Sequence, residues 1–337
     1  MSEVKYHDIV LENLSDEKTF HAIKSTLVNT GGQAYHDFKK ALRPHFNKIF
    51  FDISIGWLAF AVCIAAGIYI NQIENPLIKI MASLADAVTF GFIINYLSNF
   101  FHEAAHYNIA RDKKMNDLLA NCFLGILQAQ HINHYRLVHW QHHVHLGTPE
   151  DTEHSYFNSL GFKFFLESLT GISALRIFLF RSTSTFIIPD KGEDKLIKKQ
   201  KLTMLIAGII FQFSFLLLFF ITKQYWVAGI WLFAFGSFFP FFASLRQLLE
   251  HRSEWASGKI NYMKTAHGKT NRMFSGSFAT TFGSAGFDRH LLHHLEPQIS
   301  YTNLRELENY LSKTALAPQL KKHQTTYFKT FISLLGK

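Results

Sequence analysis

The sequence predicts an all-α membrane protein: four transmembrane helices in two hairpins, with a cytoplasmic helical cap that holds a di-metal site. Three observations predict it. The 337-residue chain is 48% hydrophobic with a positive mean hydropathy, too apolar for an ordinary soluble enzyme of this length. Its longest apolar stretches come in two closely spaced pairs. Histidine is in excess, with 19 residues, and eight of them fall in the clusters HEAAH, HWQHH and HLLHH that follow or separate those stretches.

Residues 1–48 alternate polar and apolar positions at helical spacing, broken at Gly31-Gly32 and Pro44, and read as surface helices lying on the membrane. No positively charged leader followed by an apolar core and a small-residue cleavage site is evident there, so no cleaved signal peptide is expected. The membrane domain is expected over residues 49–312. Crossing ~30 Å of hydrocarbon takes roughly 20 helical residues. Ile53 to Ile70 and Leu77 to Phe101 meet that length and are joined by the turn-prone NQIENP, a first hairpin. Leu202 to Thr222 and Trp226 to Leu249, joined around Lys223, Gln224 and Tyr225, make a second. Between the hairpins, Leu118 to Leu127 is too short to span, and the aromatic stretch Tyr156 to Phe186 reads as interfacial. Residues 313–337 are expected to be a C-terminal cytoplasmic tail. Only Lys79 and Lys223 lie near the hairpin turns, so the positive-inside rule puts the N-terminal, central and C-terminal segments on the cytoplasmic side.

The histidines carry the chemistry. His102 and His106 are four apart where the second span leaves the membrane, so on a continuing helix both imidazoles project from one face. His139, His142 and His143 repeat that logic at i, i+3 and i+4, as do His290, His293 and His294. Two hairpins return all three clusters to one membrane face, and His251 emerges there at the end of the fourth span. Nine imidazoles exceed the roughly four ligands of a single zinc ion and so suggest two metals. Imidazole suits iron, copper, nickel and zinc alike, and ligand type does not choose among them. Glu103 and the acids Glu150, Asp151 and Glu153 after the second cluster are candidates to accept imidazole N–H bonds; for the last three a solvated acidic loop is the plainer alternative. Asp86, an acid inside a span, either has a function or packs towards the bundle interior.

Other compositional features exclude more than they assign. The formal net charge is +9, but no basic run interleaves with aromatic residues in the manner of a nucleic-acid track, so nucleic acid is excluded and a membrane surface with its lipids is the expected partner. Cys63 and Cys122, the two cysteines, sit in apolar surroundings without CxxC spacing, which excludes a disulfide framework and a zinc ribbon. The 35 phenylalanines suit lipid-facing helices and the wall of an alkyl pocket equally well. His131, His134 and His145 beside the second cluster read as ordinary neighbours on a surface helix. His7, His21, His36, His45, His154, His267 and His323 read as solvated or helix-terminal.

In this order, with HEAAHYNIARDKKMNDLL, HWQHHVHLGTPEDTE and HLLHHLEPQISYTNLREL around two hairpins, the boxes resemble the membrane fatty acid desaturase superfamily over roughly residues 50 to 312. The resemblance implies a di-iron centre held by His102, His106, His139, His142, His143, His290, His293 and His294. His251 matches an isolated histidine that some of these families use before the third box. It also implies dioxygen as co-substrate, hydrogen abstraction from an unactivated carbon, and water as by-product. Acyl-CoA desaturases, which this chain is similar to, carry an Asn one turn before that isolated histidine, near one metal through water; here the position is Gln247. With no HPGG haem motif in the sequence, electrons are expected from a separate ferredoxin or b-type cytochrome. The substrate implied is a fatty acyl chain on a lipid, on coenzyme A or on a carrier protein. The expected location is the bacterial inner membrane or the endoplasmic reticulum, as a multi-pass protein with its site on the cytoplasmic face.

Two neighbouring activities stay open. The same scaffold resembles lipid and alkane hydroxylases and carotenoid ketolases, and HHVHLGTPED is similar to the ketolase second box. HEAAH alone also fits an intramembrane zinc protease, with Glu103 as general base. That reading leaves HWQHH and HLLHH without a role and lacks an Asp-Gly pair for a third ligand.

Overall fold

Long runs of Leu, Ile, Phe and Ala with few internal charges let a helix continue far beyond the usual soluble length, because the apolar side chains need no particular face to hide. In the computed structural model, which describes residues 17–148, 150–153, 155–183, 195–256 and 270–337, four such helices form. They are α3 (Phe46–Asn71), α4 (Pro76–Ala105), α9 (Lys195–Ile221) and α10 (Tyr225–His251). At 26 to 30 residues each, they extend about 40 Å, more than the ~30 Å of hydrocarbon, so their ends reach past it. His7, His154, His267 and the last residues of the interfacial stretch, 184–186, lie outside the described residues.

Each hairpin turn has a local cause. Asn75 accepts the backbone N–H groups of Leu77 and Ile78 at 3.0 and 3.1 Å, and Pro76 begins α4 where no donor is needed. Lys223 closes the other turn in the left-handed region at φ 58°. Outward faces are apolar along their length, with Leu58, Val62 and Met81 on the first hairpin and Ile209, Phe213 and Leu217 on the second exposed. Such continuous surface is what lipid tails require of a protein.

Inside the bundle, Phe60, Phe90 and Trp231 meet edge to face with ring centroids 4.7 to 5.6 Å apart. The Trp231 indole N–H donates to the Gln212 side chain at 2.9 Å, so its polar edge is satisfied. Where α4 crosses α10, Gly91 lies against Phe238, and a Cβ there would overlap the Phe238 Cβ and stand 2.9 Å from the Phe239 nitrogen. That contact falls on a π-helical turn of α10, Ala234–Phe238, just ahead of Pro240, which has no N–H to continue the helical ladder. Asp86 is buried in the interior, its carboxylate beside Gly67.

Most of the remaining described chain gathers at the end of the bundle away from the two turns, while Leu127 and Leu169 lie deeper, their carbonyls accepting from Gln212 and Ser237, each at 3.0 Å. After α4 come α5 (Lys113–Leu119), which runs on through a π-helical stretch, and α6 (Ile132–His145). The central segment then lays down α7 (Phe162–Leu169) and α8 (Ile172–Thr183), neither long enough to span. Beyond α10 lie α11 (His290–Leu295), α12 (Leu304–Leu311), α13 (Ala317–Lys322) and α14 (Tyr327–Leu334). A two-residue parallel pair, β1 (Met273–Phe274) and β2 (Gln324–Thr325), fastens the C-terminal segment to the stretch before α11.

Both terminal segments pack against the elements that carry the third histidine cluster. α1 (Glu17–Ile23) and α2 (Tyr35–Ala41) place Phe20, Ile23 and Tyr35 in a core shared with Leu291, Leu292, Leu295 and Leu307. Leu316, Leu320, Tyr327 and Leu334 of residues 313–337 are buried too. The amphipathic faces that read as membrane-seeking are used against the cap itself. A large apolar side chain that leaves water in this way contributes ~1.5–3 kcal/mol.

Candidate metal centre

Nine imidazoles reach one place from four elements. α4 brings His102 and, at its C-cap, His106; α6 brings His139, His142 and His143; His251 is the last residue of α10; α11 brings His290, His293 and His294. Their ring nitrogens form adjoining groups in which all ligand atoms lie within 4.8 Å of one another. The first is His102, His106, His139, His143 and His293; beside it His142, His251 and His294 form a second, and His251 and His290 with Glu250 a third. The groups touch, the His143 and His294 ring centroids being 4.4 Å apart. All nine histidines of the sequence reading are therefore brought together. Eight are buried and His106 is partly exposed.

The donor chemistry fits a metal. His139 Nδ1 donates to Glu153 at 3.1 Å and His142 Nδ1 to Asp151 at 2.9 Å, while His251 Nδ1 donates to the Thr270 carbonyl at 3.3 Å. Those bonds place the proton at the back of each ring and leave Nε2 with a bare lone pair. Ring nitrogens, each a lone pair or an N–H according to tautomer, then face one another. His139 Nε2 is 3.0 Å from both His106 Nε2 and His143 Nε2, and His290 Nε2 is 2.8 Å from His251 Nε2 and 3.1 Å from His294 Nε2. Lone pairs so arranged repel unless a cation stands among them. Both ring nitrogens of His102 and Nε2 of His293 are also buried without any hydrogen-bond partner, a costly condition that ligation would relieve.

Electrostatics point the same way. Burial, with neighbouring imidazoles adding to it, holds His106, His143, His290, His293 and His294 well below the ordinary histidine range, so they are neutral, as ligands must be. For His142 burial opposes protonation, but Asp151 and Glu153 outweigh it and raise the ring to about 9. Burial would likewise raise Glu153, yet His142 and His139 hold it far below the usual carboxylate range, and it stays ionised.

Of the four acids expected to fix imidazole tautomers, Asp151 and Glu153 do so. Residues 150–153 fold back over α6, where Asp151 also accepts from the Tyr156 hydroxyl and from the Glu153 backbone N–H at 2.8 Å. Glu150 is exposed and belongs to none of the metal-type groups among the described residues. Glu103 requires a correction: its carboxylate accepts from the Tyr301 backbone at 3.1 Å and Asn108 Nδ2 at 3.3 Å, not from a histidine. Following His102 by one residue, it is turned about 100° round the helix from the ligand face. Gln247 donates to Glu153, so its amide lies behind His139 rather than beside a metal. His131 caps α6, its Nδ1 accepting the Asn133 N–H at 3.2 Å, and neither it, His134 nor His145 joins the groups. His323, expected to be solvated or helix-terminal, is the C-cap of α13 and bonds the Asn271 carbonyl through Nδ1 at 2.8 Å.

Glu250 is the residue that the sequence reading missed. It precedes His251, is fully buried, and pairs with Arg246 at 2.6 Å one turn back. Arg246 in turn stacks on Phe287, 3.5 Å above the ring. An acid and a base four residues apart on a helix normally signal a surface pair, which is why the pattern passed unremarked. Elsewhere, an apolar groove of about 450 Å³ lined by Ile80, Ser83, Leu84, Trp226 and Phe233 among others opens near the hairpin turns, and none of the nine histidines lines it.

Compared with known families, residues 80–331 match the model described as fatty acid desaturase, three quarters of the chain and all three boxes. Among curated proteins, none matches this sequence.

Proposed function

Because the chain belongs to the fatty acid desaturase family, a family of membrane oxidoreductases, we propose that it is an oxygen-dependent acyl-lipid desaturase working with a histidine-held pair of irons. The observation that carries this reading is the convergence of nine imidazole rings where α4 and α10 end, with ring nitrogens of different elements facing one another. A pair of irons bound there supplies dioxygen activation strong enough to break an unactivated C–H bond. The overall change removes one hydrogen from each of two adjacent methylenes. With two external electrons and two protons, dioxygen leaves as two waters.

The protein's own groups prepare that chemistry. Asp151 and Glu153 lock the His142 and His139 rings through Nδ1, and Gln247 and Tyr156 hold those carboxylates in turn. Fixed rings cost no reorganisation when ligands are needed. Burial of the cluster keeps bulk water from the site. The family suits a lipid substrate, and a site at the bundle end lets an acyl chain remain among apolar helices while one segment reaches the histidines. In this reading the helices cross the membrane four times, with the histidine end cytoplasmic, in a bacterial inner membrane or the endoplasmic reticulum. A ferredoxin or b-type cytochrome delivers the electrons.

The test is expression of the full chain in a bacterium, followed by chromatography of fatty acid methyl esters. New double bonds are the expected product; hydroxylated lipid instead, or oxidised carotenoid in a carotenoid-producing host, would assign the scaffold to those activities. His293→Ala should abolish the product while the protein still inserts.

A further inference from the structure

Three carboxylates approach the histidine cluster, and one approaches from the opposite side of the ring to the other two. Asp151 and Glu153 meet His142 and His139 at Nδ1, the edge turned away from the converging lone pairs. Glu250 faces His290 at Nε2, with Oε2 3.7 Å away. That same Nε2 lies 2.8 Å from His251 Nε2 and 3.1 Å from His294 Nε2, so Glu250 looks into the space where ligand atoms gather. Its Oε1 is buried with no hydrogen-bond partner, and the residue has no exposed surface.

We propose that Glu250 is a metal ligand, supplying one carboxylate oxygen to the half of the centre built by His142, His251, His290 and His294. The proposal rests on the metal-pair reading above. The ligand count supports it: one half has five imidazoles, the other four, and Glu250 brings the second to five donors. Charge supports it too. Imidazole ligands, neutral when bound, offset none of the charge of two cations in a buried site, whereas a carboxylate in contact offsets one unit. Arg246, at 2.6 Å from Oε2, anchors the side chain without occupying Oε1. The centre is then unsymmetrical, a hard oxygen donor on one metal and nitrogen only on the other.

Cobalt(II) titration of the purified full-length protein in detergent tests this, because the ligand-field bands count bound ions and report their donors without any turnover. Wild type should bind about two equivalents. Glu250→Gln, which keeps the size and the Arg246 contact, should bind about one, the five-histidine half remaining filled. Glu250→Asp keeps the charge but shortens the reach, so it should hold the second ion at lower affinity with shifted bands. Two equivalents with wild-type bands in both variants would overturn the assignment, as would loss of both ions from Glu250→Gln. Should Glu250→Gln fail to fold, Glu250→Asp decides alone, unshifted bands counting against the proposal. Fewer than two equivalents in wild type would instead remove the metal-pair reading beneath it.

Discussion

Asp151 and Glu103 are both buried acids close in sequence to ligand-type histidines, yet they perform different tasks. Asp151 reaches the back of His142 from a loop, whereas Glu103 is fixed by its helix position to point at Tyr301 and Asn108. Asp151→Asn should therefore weaken metal binding about 10- to 100-fold, measured by chelator competition. Glu103→Gln should leave metal affinity unchanged and lower stability by about 1–3 kcal/mol, read from a thermal melt, because the two donors that share its Oε2 meet an amide instead. A metal defect in Glu103→Gln with no stability loss would restore it to the site. At this scale the converging histidines were legible and their support only in part. Spacing of i, i+3 and i+4 marks an imidazole as facing its neighbours, but no spacing rule says which loop acid folds back to meet it. The departure at Gln247 was visible, and its partner, Glu153 from a distant loop, was not.

Between elements, close approach decides more than hydrophobicity. Inside a bilayer helices gain little from leaving lipid, so packing carries the association. Gly91 permits α4 to meet the π-helical turn of α10, whose far end delivers Gln247, Glu250 and His251. Gly91→Ala should cost about 1–3 kcal/mol by overpacking, seen as a lower melting temperature, and Gly91→Leu should prevent the bundle from closing. In the cap, Glu296 just after the third box binds Lys24 at 2.8 Å and also Lys39, tying α1 and α2 to α11. Both lysines keep some exposure, so Glu296→Gln should cost only about 1–2 kcal/mol, with hydrogen exchange rising first in residues 17–41. The four long helices were legible from hydropathy to within a few residues at most ends. The π turn and the docking of the terminal segments were not, since an amphipathic face looks alike whether lipid or protein covers it.

Across the whole molecule, two hairpins and one metal-type cluster act as a single device. The hairpins send α4 and α10 back to the same end, and the histidines then bind together elements far apart in sequence, from His102 to His294. Because ligation stabilises only the assembled form, stripping metal with a chelator should lower the melting temperature, and re-addition should restore it in a concentration-dependent way. At a hundredfold excess over Kd the gain is about 2.7 kcal/mol. Reporter fusions in residues 72–75 and 222–224 should read as non-cytoplasmic, opposite to one at the C-terminus, if the histidine end is cytoplasmic. Span order made this convergence legible from the sequence alone, because topology leaves the clusters no other common place. Metal identity was not legible, since imidazole accepts several metals. Elemental analysis of the purified wild-type protein therefore tests the central claim most directly. About two irons per chain, lost on replacing His293 and His294 with Ala, is the predicted result; about one zinc per chain with no iron would contradict it.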